Sequence, residues 1–229
     1  MKGKPSGITK SDTVADEVQL WEAAYSRFET PDEEIRKFRQ RLIKLGITQC
    51  PRDAKIVELF CGRGNGLEAL AQLGFRCIEG VDLSPRLLKQ YKGFAACYVA
   101  DCRQLPFIDG SKDIVIVQGG LHHLISLPDD LEKVLSETRR VLRKSGQLVV
   151  VEPWWTPFLR FVHALCDRSF CRRLSNKLDA LAVMTECEHQ TYWRWLKSPD
   201  LILSVLREHF EPQYLSTNWG KLSFVGKPR

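Results

Sequence analysis

Apolar positions recur in two different rhythms along this chain. Val18, Leu20, Trp21, Ala24, Tyr25 and Phe28 return every three or four residues, which predicts helix over 14–45 with one apolar face. Thr30-Pro31-Asp32-Glu33-Glu34 divides it: an N-cap, a proline at the first helical position and an acidic first turn start a second helix through Ile35, Phe38, Leu42 and Leu45 to Gly46. From Ile56 the rhythm changes. Apolar runs at 56–60, 75–81, 96–100, 113–118 and 147–152 read as strands, with helical stretches after Gly66, at 87–91 and at 128–143 between them. Strands alternating with helices describe an α/β fold, a doubly wound and mostly parallel sheet with helices on both faces. Residues 154–197 break the alternation with four of the six tryptophans. A helix at 199–209 and a hairpin of 211–217 with 220–226 follow, bringing the sheet to seven strands. The expected organisation is a polar, fraying start and cap helices in 1–50, then a ligand-binding domain over 51–229 in which 154–198 forms a lid over a substrate.

The chemistry gathers at the first turn of that domain. Ile56-Val57-Glu58-Leu59-Phe60 is a buried strand with one carboxylate, and Gly62, Gly64 and Gly66 then lead into a helix. Glycine accepts positive φ and lets backbone approach a ligand. The helix start offers free N–H groups and a partial positive charge. Two more carboxylates end the next two strands. Asp82, about 20 residues beyond the turn and followed by Leu83-Ser84-Pro85, is placed to accept ribose hydroxyls. Asp101, followed by Cys102, is placed to accept an adenine amino hydrogen. Successive strand ends that each offer a ligand group form the crevice of open α/β sheets.

A dinucleotide site needs glycines spaced G-x-G-x-x-G, and Leu67 stands where the third belongs. The segments Glu58–Gly66, Val81–Pro85, Ala100–Leu124 and Val141–Pro153 instead resemble the class I S-adenosylmethionine-dependent methyltransferases, nearest the small-molecule branch that includes quinone-biosynthesis enzymes. The resemblance spans about residues 50–153. It implies S-adenosylmethionine as cofactor and a small-molecule methyl acceptor, with a hydroxyl oxygen as one candidate nucleophile. Glu58, Phe60, Gly62, Gly64 and Asn65 would line the methionine side, Asp82 and Leu83 the ribose, and Asp101 and Cys102 the adenine. Gln118 would offer its backbone carbonyl to the methionine amino group, His122 would stand on the cofactor side, and Tyr25 would cover the cofactor from the N-terminal helices. Phe60 departs from the family, which has glycine there, so the methionine end is expected to pack differently.

The protein aligns a nucleophile with an already activated methyl, so the fold carries no universal catalytic residue. His189, with Glu188 and Tyr192 in the aromatic insertion, and His122 or His123 after the fourth strand are the candidate bases; Glu152 holds an acceptor hydroxyl or anchors the sheet. Two other readings stay open, a nicotinamide oxidoreductase and a non-catalytic binding module whose pocket Phe60 closes. The formal charge of +6 reads as a solvated surface, and the place after the fourth strand, Gln118-Gly119-Gly120-Leu121, lacks the motifs of nucleic-acid base methylation. Contact of Trp154-Trp155 with a membrane surface is a lesser alternative. Eight cysteines without a C-x-x-C pair show no zinc spacing, and Cys61, Cys77 and Cys97 are expected in or beside buried strands. Without a signal peptide or a membrane-length apolar run, the expected compartment is the cytoplasm. The sequence does not speak to oligomeric state.

Overall fold

A computed structural model describes residues 10–229, with side chains from residue 19. The expectation that the chain start frays lies largely outside the described residues; from Lys10 the backbone is helical. The chain divides into two compact units. One holds Pro31–Leu159 with Thr191–Arg229, and the other holds the chain up to Thr30 with Arg160–Gln190.

The first unit contains the whole sheet. Its strands are β1 (Lys55–Leu59), β2 (Cys77–Asp82), β3 (Ala96–Val99), β4 (Lys112–Gln118), β5 (Leu142–Pro153), β6 (Phe210–Asn218) and β7 (Lys221–Pro228). They lie in the order β3-β2-β1-β4-β5-β7-β6. β1 to β5 pair in parallel, while β7 runs antiparallel to both β5 and β6, so the closing hairpin adds one reversed strand.

Alternation along the strands sorts side chains to two cores. Val57, Leu59, Val115, Val117, Leu148 and Val150 pack with Leu131, Val134 and Leu135 of α5 (Asp129–Val141) and with Ile202, Val205 and Leu206 of α10 (Pro199–His209). Ile56, Ile114, Ile116 and Val149 pack on the other face with Leu67 and Leu70 of α3 (Asn65–Gln72) and Leu42 of α2 (Pro31–Lys44). Burying each such side chain contributes about 1.5–3 kcal/mol, and a one-residue slip of β1 would move Glu58 into the opposite apolar layer. The register is therefore strongly specified.

Several boundaries differ from the sequence expectation. The short helix after β2 is α4 (Pro85–Leu88), because Ser84 Oγ accepts the Leu87 N–H at 3.2 Å and Pro85 starts the turn. The helix expected to reach Arg143 ends at Val141; Leu142 already pairs with Lys112, and the register shifts before Gln147 joins Ile114. β1 stops at Leu59, so Phe60 is not a strand residue. Cys77 opens β2 and is exposed, unlike buried Cys61. Trp154 is buried: its ring meets Trp195 at 6.4 Å and its backbone N–H reaches the Gly220 carbonyl at 2.9 Å. Trp154 is therefore withdrawn from the surface, whereas Trp155 stays exposed. Among the described residues no helix is long and apolar enough to cross a membrane.

The second unit is helical. α1 (Lys10–Phe28) packs along α8 (Asn176–Cys187), whose first turn Ser175 caps through the Leu178 N–H at 3.3 Å. Arg27 meets Asp179 at 2.8 Å, and Arg172 joins Asp179 at 3.0 Å to Glu186 at 2.9 Å.

Candidate active site

In the sheet, β1 lies between β2 and β4, so the chain leaves β1 toward one side and later returns on the other. The crevice at such a switch point, beyond the carboxyl ends of the strands, is where open α/β sheets bind ligands. The ends of β1 to β5 bring together Glu58, Phe60, Gly62, Gly64, Asn65, Asp82, Leu83, Asp101, Cys102, Gln118, His122 and His123.

On the β2 side, Asp82 organises the glycine turn. Its Oδ2 accepts the Gly62 N–H and its Oδ1 the Ser84 N–H, both at 2.8 Å. A carboxylate has about four acceptor positions, so each oxygen keeps capacity for a hydroxyl donor. Gly62 and Gly64 carry left-handed φ of 53° and 83°, the conformation that requires glycine here. Space at Gly62 is open, with the nearest side-chain atom 4.0 Å from an added Cβ, whereas Gly64 lies under the ring of Tyr91. Tyr91 is a packing residue that the sequence reading did not find; its hydroxyl accepts the Ala95 N–H at 3.3 Å. Leu83 is 62% exposed beside Asp82.

Asp101 is not a free acceptor. Arg103 clamps it at 2.6–3.1 Å and reaches on to Asp130 at 2.9 Å. The Arg103 hydrogen bonds hold the Asp101 carboxyl below its ordinary range. Cys102 is buried, and burial pushes its thiol up to about 12 despite the Phe60 backbone N–H beside it.

Glu58 occupies the α3 face of the sheet, 3% exposed, and among the described residues accepts only the Gln118 amide at 3.4 Å. Burial raises its carboxyl to about 8. Gly66 makes room for it: an added Cβ would come 1.9 Å from Glu58 Oε1 and 2.3 Å from Oε2. Glu58 Oε2 and Gln118 Oε1 are buried acceptors without a hydrogen-bond partner among the described residues. Asn65 faces α2, donating to Glu34 Oε2 at 2.5 Å.

Beyond β4 the arrangement is different. Gly120 and Leu121 both donate backbone N–H to Glu152 Oε1, at 2.7 and 2.8 Å. His122 Nδ1 lies 2.7 Å from Glu152 Oε2. Glu152 is fully buried; burial alone would raise its carboxyl, but the His122 bond and charge and the two backbone donors outweigh it and hold the group below its usual range. An ionised carboxylate only accepts, so Nδ1 is the donor of this pair. Tyr192 packs edge-on at 6.0 Å from the His122 ring, and His123, exposed, lies 4.1 Å away. The base-and-orienter pair His122–Glu152 was not assembled from sequence, where the two stand thirty residues apart.

Phe60 carries φ 56°, and its ring rests on Gly120 rather than over the Gly62 turn. Two candidates belong to the helical unit. Tyr25 stacks on Trp21 with ring centroids 4.9 Å apart, and His189 is exposed at the start of α9 (His189–Leu196).

Comparison with known proteins agrees with this geometry. Residues 57–150 match the family described as methyltransferase domain. A demethylmenaquinone methyltransferase of Thermotoga maritima is 32% identical over 121 residues, 51% of this chain and 50% of that protein. A ubiquinone/menaquinone biosynthesis C-methyltransferase UbiE of Geotalea uraniireducens is 29% identical over 61% of each chain. The chain spans about half the length of the first of these curated relatives. A solved putative S-adenosyl-L-methionine-dependent methyltransferase from Methanococcus maripaludis shares the fold, with TM-score 0.64 and 14% identity over 99% of this chain and 97% of that one.

Proposed function

We propose, for a chain that belongs to the class I S-adenosylmethionine-dependent methyltransferases, that it transfers a methyl group from S-adenosylmethionine to a hydroxyl-bearing small molecule. The observation that carries the reading is the edge formed by Gly62 and Asp82 on one side of β1 and by His122 and Glu152 beyond β4. The residues fit the donor. Glu58 Oε2 and Gln118 Oε1 are two buried acceptors, the chemistry that suits an ammonium group, and Asp82 has acceptor capacity for ribose hydroxyls. Bound S-adenosylmethionine supplies a methyl group already activated on a sulfonium.

The chain's own task is then alignment and proton handling. Alignment alone is worth on the order of 7–11 kcal/mol. His122 Nε2 takes the acceptor's hydroxyl proton, and Glu152 stabilises the imidazolium through Nδ1; such a base contributes about 10²–10⁴-fold. Where the hydroxyl sits on an aromatic ring, the resulting anion is nucleophilic at oxygen and at the adjacent ring carbon. The likeness to C-methyltransferases of quinone biosynthesis favours carbon. Residues 154–198 are the proposed source of acceptor specificity, and His189→Ala and Tyr25→Ala test the two candidates of the helical unit by turnover and donor affinity.

Calorimetry with S-adenosylmethionine and S-adenosylhomocysteine tests the reading. The expected result is micromolar binding of both, weakened at least tenfold by Asp82→Ala. Unchanged affinity in that variant removes Asp82 from the donor site, and binding of neither ligand by the unaltered protein would favour the binding-module reading.

A further inference from the structure

Among the described residues, two non-glycines adopt a left-handed backbone, Phe60 and Trp219. Trp219 has a local cause, because it and Gly220, at φ 51° and 74°, form the two-residue turn between β6 and β7. Phe60 has none. It stands between a parallel strand and a glycine turn, where a bulky side chain at φ 56° is an outlier held by its surroundings.

Those surroundings form a seat for the ring. Gly120 has φ −122°, which any residue adopts, so its own backbone does not ask for glycine. The ring does. A Cβ at Gly120 would come within 2.3 Å of Phe60 Cγ and 2.5 Å of Cβ and Cδ2. Gly120 is itself fixed by its 2.7 Å bond to fully buried Glu152. The half-buried ring therefore sits at the end of β1 toward β4, between the Asp82 turn and the His122 turn.

A methyl group passing from donor to acceptor crosses that boundary. Resting on the reading that the chain binds S-adenosylmethionine, we infer that Phe60 presents its aromatic face to the sulfonium and so binds the cationic donor in preference to the neutral product. The quadrupole of an aromatic ring attracts a cation at its face and has no comparable attraction for a thioether. On transfer the sulfur–methyl bond breaks with its electron pair left on sulfur, a bond from the acceptor oxygen or carbon to the methyl forms, and the acceptor's proton passes to His122. The charge that held the donor against the ring is then gone, which favours release of S-adenosylhomocysteine.

The test is the ratio of affinities for S-adenosylmethionine and S-adenosylhomocysteine, by calorimetry, in the unaltered protein, Phe60→Leu and Phe60→Gly. Both variants are expected to lose preference for the donor by roughly two- to thirtyfold. Phe60→Gly, which suits the left-handed backbone, retains the fold by circular dichroism. An unchanged ratio in both variants overturns the inference, whereas an unaltered protein that binds neither ligand overturns the donor reading beneath it. The seat has its own check. Gly120→Ala is expected to lower the urea midpoint, and Phe60→Gly in the same chain to recover it; a harmless Gly120→Ala overturns the packing on which the inference stands.

Discussion

Glu58 and Glu152 occupy matching places with opposite outcomes. Each is a buried glutamate near the carboxyl end of a strand flanking β4. Glu152 collects two backbone N–H groups and an imidazole, and its carboxyl is held low; Glu58 receives one long amide bond and rises to about 8. Burial imposes the same kind of penalty on both, so the supply of donors decides the charge state. Around Glu152 the turn 120–122 is folded to supply them. Around Glu58 the described residues supply one, the Gln118 amide, and α3 is brought so close that only glycine fits at position 66. One carboxylate is completed by the chain and orders the 120–122 turn; the other keeps acceptor capacity in the crevice.

The largest effect follows from breaking the completed site. Glu152→Ala leaves the Gly120 and Leu121 N–H groups and His122 Nδ1 without their acceptor. It is expected to cost about 3–5 kcal/mol in urea unfolding. Glu152→Gln keeps the shape and one acceptor oxygen and should cost about 1–3 kcal/mol. A loss below 1 kcal/mol for Glu152→Ala would mean that the turn does not depend on this carboxylate.

A middle-sized effect comes from closing the gap above Glu58. Gly66→Ala drives a methyl into the carboxylate, for an expected loss of about 1–3 kcal/mol. Shortening the glutamate in the same chain, Glu58→Ala with Gly66→Ala, should recover most of it, since the clash is with the removed atoms. Losses that simply add would place the strain elsewhere.

The same contrast explains what the sequence made legible. Strands that alternate between two apolar layers announce themselves, and so do carboxylates at their ends, which is why Asp82 and the glycine turn stand where the pattern put them. Glu152 and His122 were visible singly but not as a pair, because only the parallel pairing of β4 with β5 brings them together. Asp101 stands at the strand end where the pattern put it, but nothing in the local pattern says that Arg103 folds back onto it. Phe60 extended an apolar run and so read as strand; its left-handed φ and the seat of its ring on Gly120, sixty residues away, have no local signal. Local periodicity reports which face a residue takes, and contacts made across the sheet decide what it does there.

The smallest effect is a slope, and its sign separates the two glutamates. Glu58 titrates higher in the folded chain, about 8 against an ordinary 4.5, so between those values the folded protein holds a proton that the unfolded chain has released. Its contribution is therefore complete below about pH 4.5 and is lost as pH rises toward 8, by at most about 1.4 kcal/mol per pH unit. Glu152, held low, contributes above its ordinary value and loses that contribution only as the solution turns acid. Glu58→Gln removes one titration and leaves the other. Urea midpoints measured from pH 5 to 8 should fall less steeply in this variant than in the unaltered protein, while the acid limb below pH 4 stays the same. Parallel curves across pH 5 to 8 would mean that Glu58 is ionised in the folded chain, and that its unpartnered oxygen finds a donor the fold itself does not supply.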